Sequence, residues 1–141
     1  QTALLVPAMA CSIPRWPVQA PITSPYGLRF RGLRPEIHRG VDLFVPTGTE
    51  VRTMAPGQVR FAGIQRGYGN VVWVDHGGSV LTVYAHLSAV RVQTGESVGS
   101  GHVLGLSGAS GDVTGPHLHF EVWRWGREVD PVPLLGGFPG G

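Results

Sequence analysis

Glycine and proline punctuate this chain so closely that strands fit between the breaks and long helices do not. They supply 22 and 12 of its 141 residues. Pro46-Thr47-Gly48, Pro56-Gly57, Gly67-Tyr68-Gly69-Asn70 and His76-Gly77-Gly78 read as turns. The pieces between them, Glu50–Ala55, Gln58–Ile64, Asn70–Asp75 and Ser79–Leu87, alternate or are short and apolar, as strands do. The last two are expected to form a hairpin, with His76 as a turn residue at its tip. Strict alternation would then put Val80, Thr82, Tyr84 and His86 on one face and the apolar Leu81, Val83, Ala85 and Leu87 on the other. Arg29 to Arg39, rich in arginine and broken by Gly32 and Pro35, reads as a solvated basic loop. His102 falls in a turn and is expected to face solvent, and Pro131–Leu135 reads as a single helical turn. The expectation is an all-β chain of many short strands.

The strongest local pattern is Gly115-Pro116-His117-Leu118-His119-Phe120-Glu121-Val122-Trp123. Leu118, Phe120 and Val122 alternate with His117, His119 and Glu121, so a strand entered from a Gly-Pro turn has one apolar and one polar face. At a rise of roughly 3.4 Å per residue the two imidazoles stand about 7 Å apart on the polar face. One can bind an ion while the other stands beside it.

His38-x-x-x-Asp42 offers a second pair. Its spacing suits a helix, but Gly40 and the β-branched flank oppose one, leaving a loop histidine and a strand carboxylate able to converge. His86 adds a third piece. Four of the six histidines, with Asp42, thus fall at strand ends beside turns. Imidazole and carboxylate are ordinary zinc donors, and a catalytic zinc takes three protein ligands while keeping one position for water. Unligated histidines nearby can act as base and acid.

These three pieces in this order, His38-x-x-x-Asp42, Tyr84-Ala85-His86-Leu87 and Gly115-Pro116-His117-Leu118-His119-Phe120-Glu121, resemble the lysostaphin/LytM-type zinc metalloendopeptidases, which are peptidoglycan hydrolases. Ile22–Arg29, Gly67–Asn70 and Gly105-Leu106-Ser107-Gly108 match as well, so the likeness spans roughly residues 16–135. The resemblance implies a two-sheet, largely antiparallel β domain with a zinc-containing groove. It implies one Zn2+ per chain held by His38, Asp42 and His119, with His86 and His117 as catalytic residues that do not bind the metal. It implies peptidoglycan as substrate and an extracytoplasmic setting: periplasm, cell wall or medium. Several members carry a tyrosine just before the first zinc histidine that stabilises the oxyanion; Arg29 to Glu36 holds none. Some related domains have lost their zinc ligands and regulate other wall hydrolases. Here all five positions are filled, which favours an enzyme over such a module.

Composition agrees with that setting. All eleven basic residues are arginine, the net charge is +2 and the pI about 9.2, a mild positive charge that suits a polyanionic surface. No nucleic-acid partner is expected, and a monomer is. No stretch approaches the roughly 20 apolar residues of a membrane helix. The single cysteine, Cys11, excludes an internal disulfide and reads as a small buried hydrophobe. Residues 1–15, with Pro7 and Pro14, read as an extended segment packed along the domain, residues 16–135 as the domain, and residues 136–141 as a flexible tail.

Overall fold

The computed structural model describes residues 13–111 and 115–139, with residues 29–31 as backbone only. Cys11 and most of the proline-rich N-terminal segment lie outside the described residues. The strands, in chain order, are β1 (Ile22–Ser24), β2 (Gly27–Arg31), β3 (Arg34–His38), β4 (Val41–Leu43), β5 (Glu50–Arg52), β6 (Gly57–Gln65), β7 (Gly69–Asp75), β8 (Val80–Val90), β9 (Ser97–Val98), β10 (Val103–Ser107), β11 (Leu118–Arg124) and β12 (Arg127–Val129). A single helical turn, α1 (Pro131–Leu134), follows; the Asp130 carboxylate caps it by accepting from the Val132 N–H.

Ten strands form one antiparallel sheet whose central path runs β1-β4-β11-β8-β7-β6-β9. β10 pairs with both β5 and β8, and β12 pairs with β11. β2 and β3 make a second, two-stranded sheet. The expected all-β, two-sheet, largely antiparallel architecture is the one observed. No helix among the described residues is long and apolar enough to cross a membrane.

The central strands are apolar on one face for a simple reason: register aligns their alternations. Phe120 lies opposite Tyr84 and Val122 opposite Thr82. Phe120, Tyr84 and Val122, with Val41, Leu43, Met54 and Leu118, form the main core, and the Tyr84 and Phe120 rings pack at 5.4 Å. Trp16 closes this core at 6.0 Å from Phe120 while its indole N–H donates to the Gly137 carbonyl. The opposite face carries a smaller cluster of Val71, Val83 and Ala85 beneath Tyr68, Trp73 and Trp123. That second face holds the site.

Three local expectations are corrected. Arg29 to Arg39 is not a loop: most of it is the β2–β3 hairpin, paired from Gly27 opposite His38 to Arg31 opposite Arg34. Gly32, with φ 63°, takes the left-handed conformation that a two-residue hairpin turn demands, so the residue read as a breaker makes the turn. Pro35 is tolerated because a two-stranded ribbon leaves one side of each strand without a partner.

His76, expected as a turn residue at the hairpin tip, instead closes the hairpin, its N–H donating to the Val80 carbonyl (2.9 Å). It is only 2 % exposed, bonded through Nδ1 to the Pro56 carbonyl (2.9 Å) and through Nε2 to the Thr82 hydroxyl (2.8 Å).

His86 does not share a face with Thr82 and Tyr84. In the β7–β8 ladder Asn70 pairs with Leu87 while Val72 pairs with Tyr84, so β8 carries an extra residue there. His86 takes φ 63° and its N–H donates to the Tyr68 carbonyl. This bulge inverts the parity of the strand. Tyr84 and Leu87 both point into the main core, and the His86 ring is delivered to the other face.

Candidate active site and metal centre

Sheet register assembles the site. His119 of β11 lies directly opposite Asp42 of β4 on one side and Ala85 of β8 on the other. His38 ends β3, and the His38-Arg39-Gly40-Val41-Asp42 turn brings it back beside Asp42. Gly40 is required in that turn, because a Cβ there would collide with the Phe120 carbonyl. The β8 bulge adds His86, and the turn entering β11 adds His117.

All five residues singled out from the sequence therefore meet. His119 Nδ1 stands 2.8 Å from Asp42 Oδ1, and His38 Nε2 3.4 Å from Asp42 Oδ2. One donor atom from each of these three lies within 4.8 Å of the others. His117 Nε2 is 3.6 Å from Asp42 Oδ1. The His86 ring lies 5.1 Å from that of His117 and 5.9 Å from that of His119. His38, His86 and His119 are buried, while His117 and Asp42 keep 20 % and 17 % of their side-chain surface open to solvent.

Each imidazole has one nitrogen already committed. Nδ1 of His38 donates to the Pro25 carbonyl (2.9 Å), Nδ1 of His86 to the Ser110 carbonyl (2.7 Å) and Nδ1 of His117 to the Gly115 carbonyl (3.1 Å). A carbonyl only accepts, so these three rings carry their proton on Nδ1 and present Nε2 as a lone pair. His119 is turned the other way: its Nε2 is bonded to Glu121 Oε2 (2.8 Å), leaving Nδ1 for Asp42.

The charges follow. Burial disfavours ionised Asp42, but hydrogen bonds to His119 and His38 outweigh it and hold the carboxyl below the ordinary range. Burial likewise opposes charge on His119, yet Asp42 and Glu121 push it up to about 9. Burial lowers the His86 pKa, so that ring is neutral at pH 7. Two carboxylates flanking one buried imidazole thus call for positive charge between them. Three convergent N, N and O donors, two with their lone pairs fixed by a second hydrogen bond, meet the requirements of a zinc ion.

Sequence reasoning passed over two residues of this cluster. Glu121 lies on the polar face of β11, where the alternation places it, but its tie to His119 was not drawn from it. Tyr68, whose hydroxyl donates to Glu121 (2.8 Å) and whose ring stacks on His119 at 6.1 Å, gives no local signal at all.

Residues 36–131, which include all five, match Peptidase family M23. The chain belongs to peptidase family M23. DD-carboxypeptidase/endopeptidase Mpg of Neisseria meningitidis is 43 % identical over 115 residues, 80 % of this chain and 26 % of the relative. The murein hydrolase activator EnvC of Escherichia coli is 37 % identical over 86 % of this chain and 28 % of its own length. The M23 domain described here thus spans about a quarter of those curated relatives. Among solved structures, the catalytic domain of the antimicrobial peptidase lysostaphin from Staphylococcus simulans superposes with a TM-score of 0.76 at 32 % identity, over 84 % of this chain and 93 % of that one.

Proposed function

We propose that this M23 domain is catalytic: a zinc-dependent endopeptidase that hydrolyses peptide cross-links or stem peptides of bacterial peptidoglycan outside the cytoplasm. The observation that carries the reading is the set of fixed lone pairs. His38 Nε2, a carboxylate oxygen of Asp42 and His119 Nδ1 would hold one zinc ion, while the His86 and His117 rings lie beside this cluster with Nδ1 committed to a carbonyl and Nε2 left as the lone pair. A bound zinc would supply Lewis acidity to the scissile carbonyl and acidify its water.

The remaining steps belong to this chain's own histidines. His86 is neutral and its Nδ1–H is anchored on Ser110, so its Nε2 can take a proton from the attacking water. His117, more open to solvent and anchored on Gly115, is placed to share that transfer and to pass a proton to the departing amine. The Ser110 and Gly115 carbonyls prevent either ring from rotating its free nitrogen away, which preserves orientation through the cycle.

The likeness to EnvC supports a second reading, a non-catalytic module that regulates other wall hydrolases. The complete histidine–aspartate set supports the first. Purified peptidoglycan sacculi incubated with the zinc-loaded protein, followed by mass analysis of released fragments, separate the two. New amino termini within stem or cross-bridge peptides are expected. Intact sacculi, with stimulation of a separately added wall hydrolase, would replace the first reading with the second.

A further inference from the structure

Glu121 is the buried charge that the mechanism above does not use. It is 2 % exposed, and among the described residues its ion-pair partner is His119. Three donors converge on its carboxylate. The Tyr68 hydroxyl donates to both oxygens (3.0 and 2.8 Å), the Trp123 indole N–H to Oε1 (2.8 Å), and the His119 ring to Oε2 (2.8 Å).

Only an acceptor-only group satisfies this arrangement. A carboxylate receives all three donors, whereas an amide of the same shape must turn its NH2 toward the indole N–H or toward the imidazole. The first choice leaves two buried N–H groups facing each other. The second has the amide N–H donate to Nε2, which puts the His119 proton on Nδ1, the atom that faces Asp42. Tyr68 also lays its ring against His119 at an interplanar angle of 27°, so the imidazole is held both in the plane and along its edge.

Resting on the zinc reading above, we infer that Glu121, clamped by Tyr68 and Trp123, is a positioning residue for the metal centre: it holds the His119 proton on Nε2 and so keeps Nδ1 available as a metal donor. It touches neither substrate nor metal. Its effect passes through His119, as the outer carboxylates of histidine–metal sites do.

The test is zinc titration against a chromophoric chelator, with folding checked by circular dichroism, on wild type, Glu121→Gln, Trp123→Phe and the double variant. Glu121→Gln is expected to weaken zinc binding about tenfold to a hundredfold. Trp123→Phe alone should cost less. The double variant should bind more tightly than Glu121→Gln, because removing the indole donor lets the amide turn its NH2 away from His119; a purely structural role gives no such rescue. In parallel, 15N spectra of zinc-loaded wild type should show His119 protonated on Nε2, a readout that holds even if Glu121→Gln does not fold. Zinc affinity of Glu121→Gln within twofold of wild type, a double variant no better than the single, or a zinc-loaded His119 protonated on Nδ1 would each overturn the inference. If wild type itself neither binds zinc tightly nor cleaves sacculi, the zinc reading falls and this inference with it. If wild type does both and only the Glu121 arms fail, the inference alone falls.

Discussion

His76 and His119 are both hidden from water, 2 % and 9 % exposed, and they behave in opposite ways. His76 sits on the core side of the main sheet in a chain of neutral groups. The Met54 N–H donates to the Tyr84 hydroxyl (2.8 Å), which donates to Thr82 (2.7 Å), which donates to His76 Nε2 (2.8 Å), while His76 Nδ1–H donates to the Pro56 carbonyl (2.9 Å). Every group there is paired with the ring neutral, and burial lowers its pKa. His119, on the other face, lies between two carboxylates that raise its pKa to about 9 although it too is buried. Burial therefore does not decide what a histidine is for. The partners do: hydroxyls and carbonyls make a structural histidine, and paired carboxylates make a cation site.

The largest expected effect breaks the site and spares the core. His119→Ala should abolish zinc binding and sacculus hydrolysis, because it removes a donor and leaves Asp42 and Glu121 facing each other, whereas the apolar face of β11 stays intact. Elemental analysis, a digestion assay and a thermal melt check this; zinc retained at one per chain would show the donor set to be wrong. Next in size are the two rings that lie beside the proposed metal donors without being assigned to the metal. His86→Ala and His117→Ala should keep zinc and lose roughly a hundredfold or more in hydrolysis rate. If either loses zinc as readily as His119→Ala, the division between ligands and catalytic residues fails.

The contrast also marks what the sequence could and could not disclose. The period-two pattern from His117 to Trp123 was legible because β11 is regular and pairs on both sides. Asp42 was legible because it alternates between Val41 and Leu43. The face of His86 was not, since one residue with φ 63° inverts the parity of β8 and no local pattern announces it. The His76 network was not, since its partners come from Pro56, Thr82 and Tyr84, and only pairing of β6, β7 and β8 brings them together. Glu121 stood in plain alternation with His119 and Trp123 on β11, but its third donor, Tyr68, comes from the turn before β7, so the full clamp emerges only in three dimensions.

A smaller effect comes from the core histidine. His76→Ala should leave the Thr82 O–H without its acceptor and the Pro56 carbonyl without the ring N–H, and open a void, costing about 2–4 kcal/mol of stability. Zinc affinity and hydrolysis per folded molecule should be unchanged, because the ring lies across the sheet from the site. Denaturant unfolding alongside a zinc titration separates the two quantities. A His76→Ala protein that keeps its stability but loses zinc would erase the distinction between the two histidines.

The smallest effect is a difference in sign with pH, measured on metal-free protein. A folded-state pKa below the ordinary 6.5 means that the unfolded chain binds the His76 proton more tightly. The stability from neutral His76 is therefore complete above about pH 6.5 and is lost as pH falls below that value toward the folded-state pKa. His119 runs the other way. Its folded pKa is raised from 6.5 to about 9, so its contribution is complete below pH 6.5 and is lost as pH rises through 9. Wild-type stability should thus slope upward with pH on the acid side, in part through His76, and downward between about pH 6.5 and 9 through His119. His76→Gln should flatten the acid limb alone, and His119→Gln the alkaline limb alone. Zinc should remove the alkaline limb in wild type, because a metal-bound His119 has no Nδ1 proton to lose. An alkaline limb that persists at saturating zinc would place the ion somewhere other than on His119, and one absent without zinc would show that Asp42 and Glu121 do not hold a proton between them.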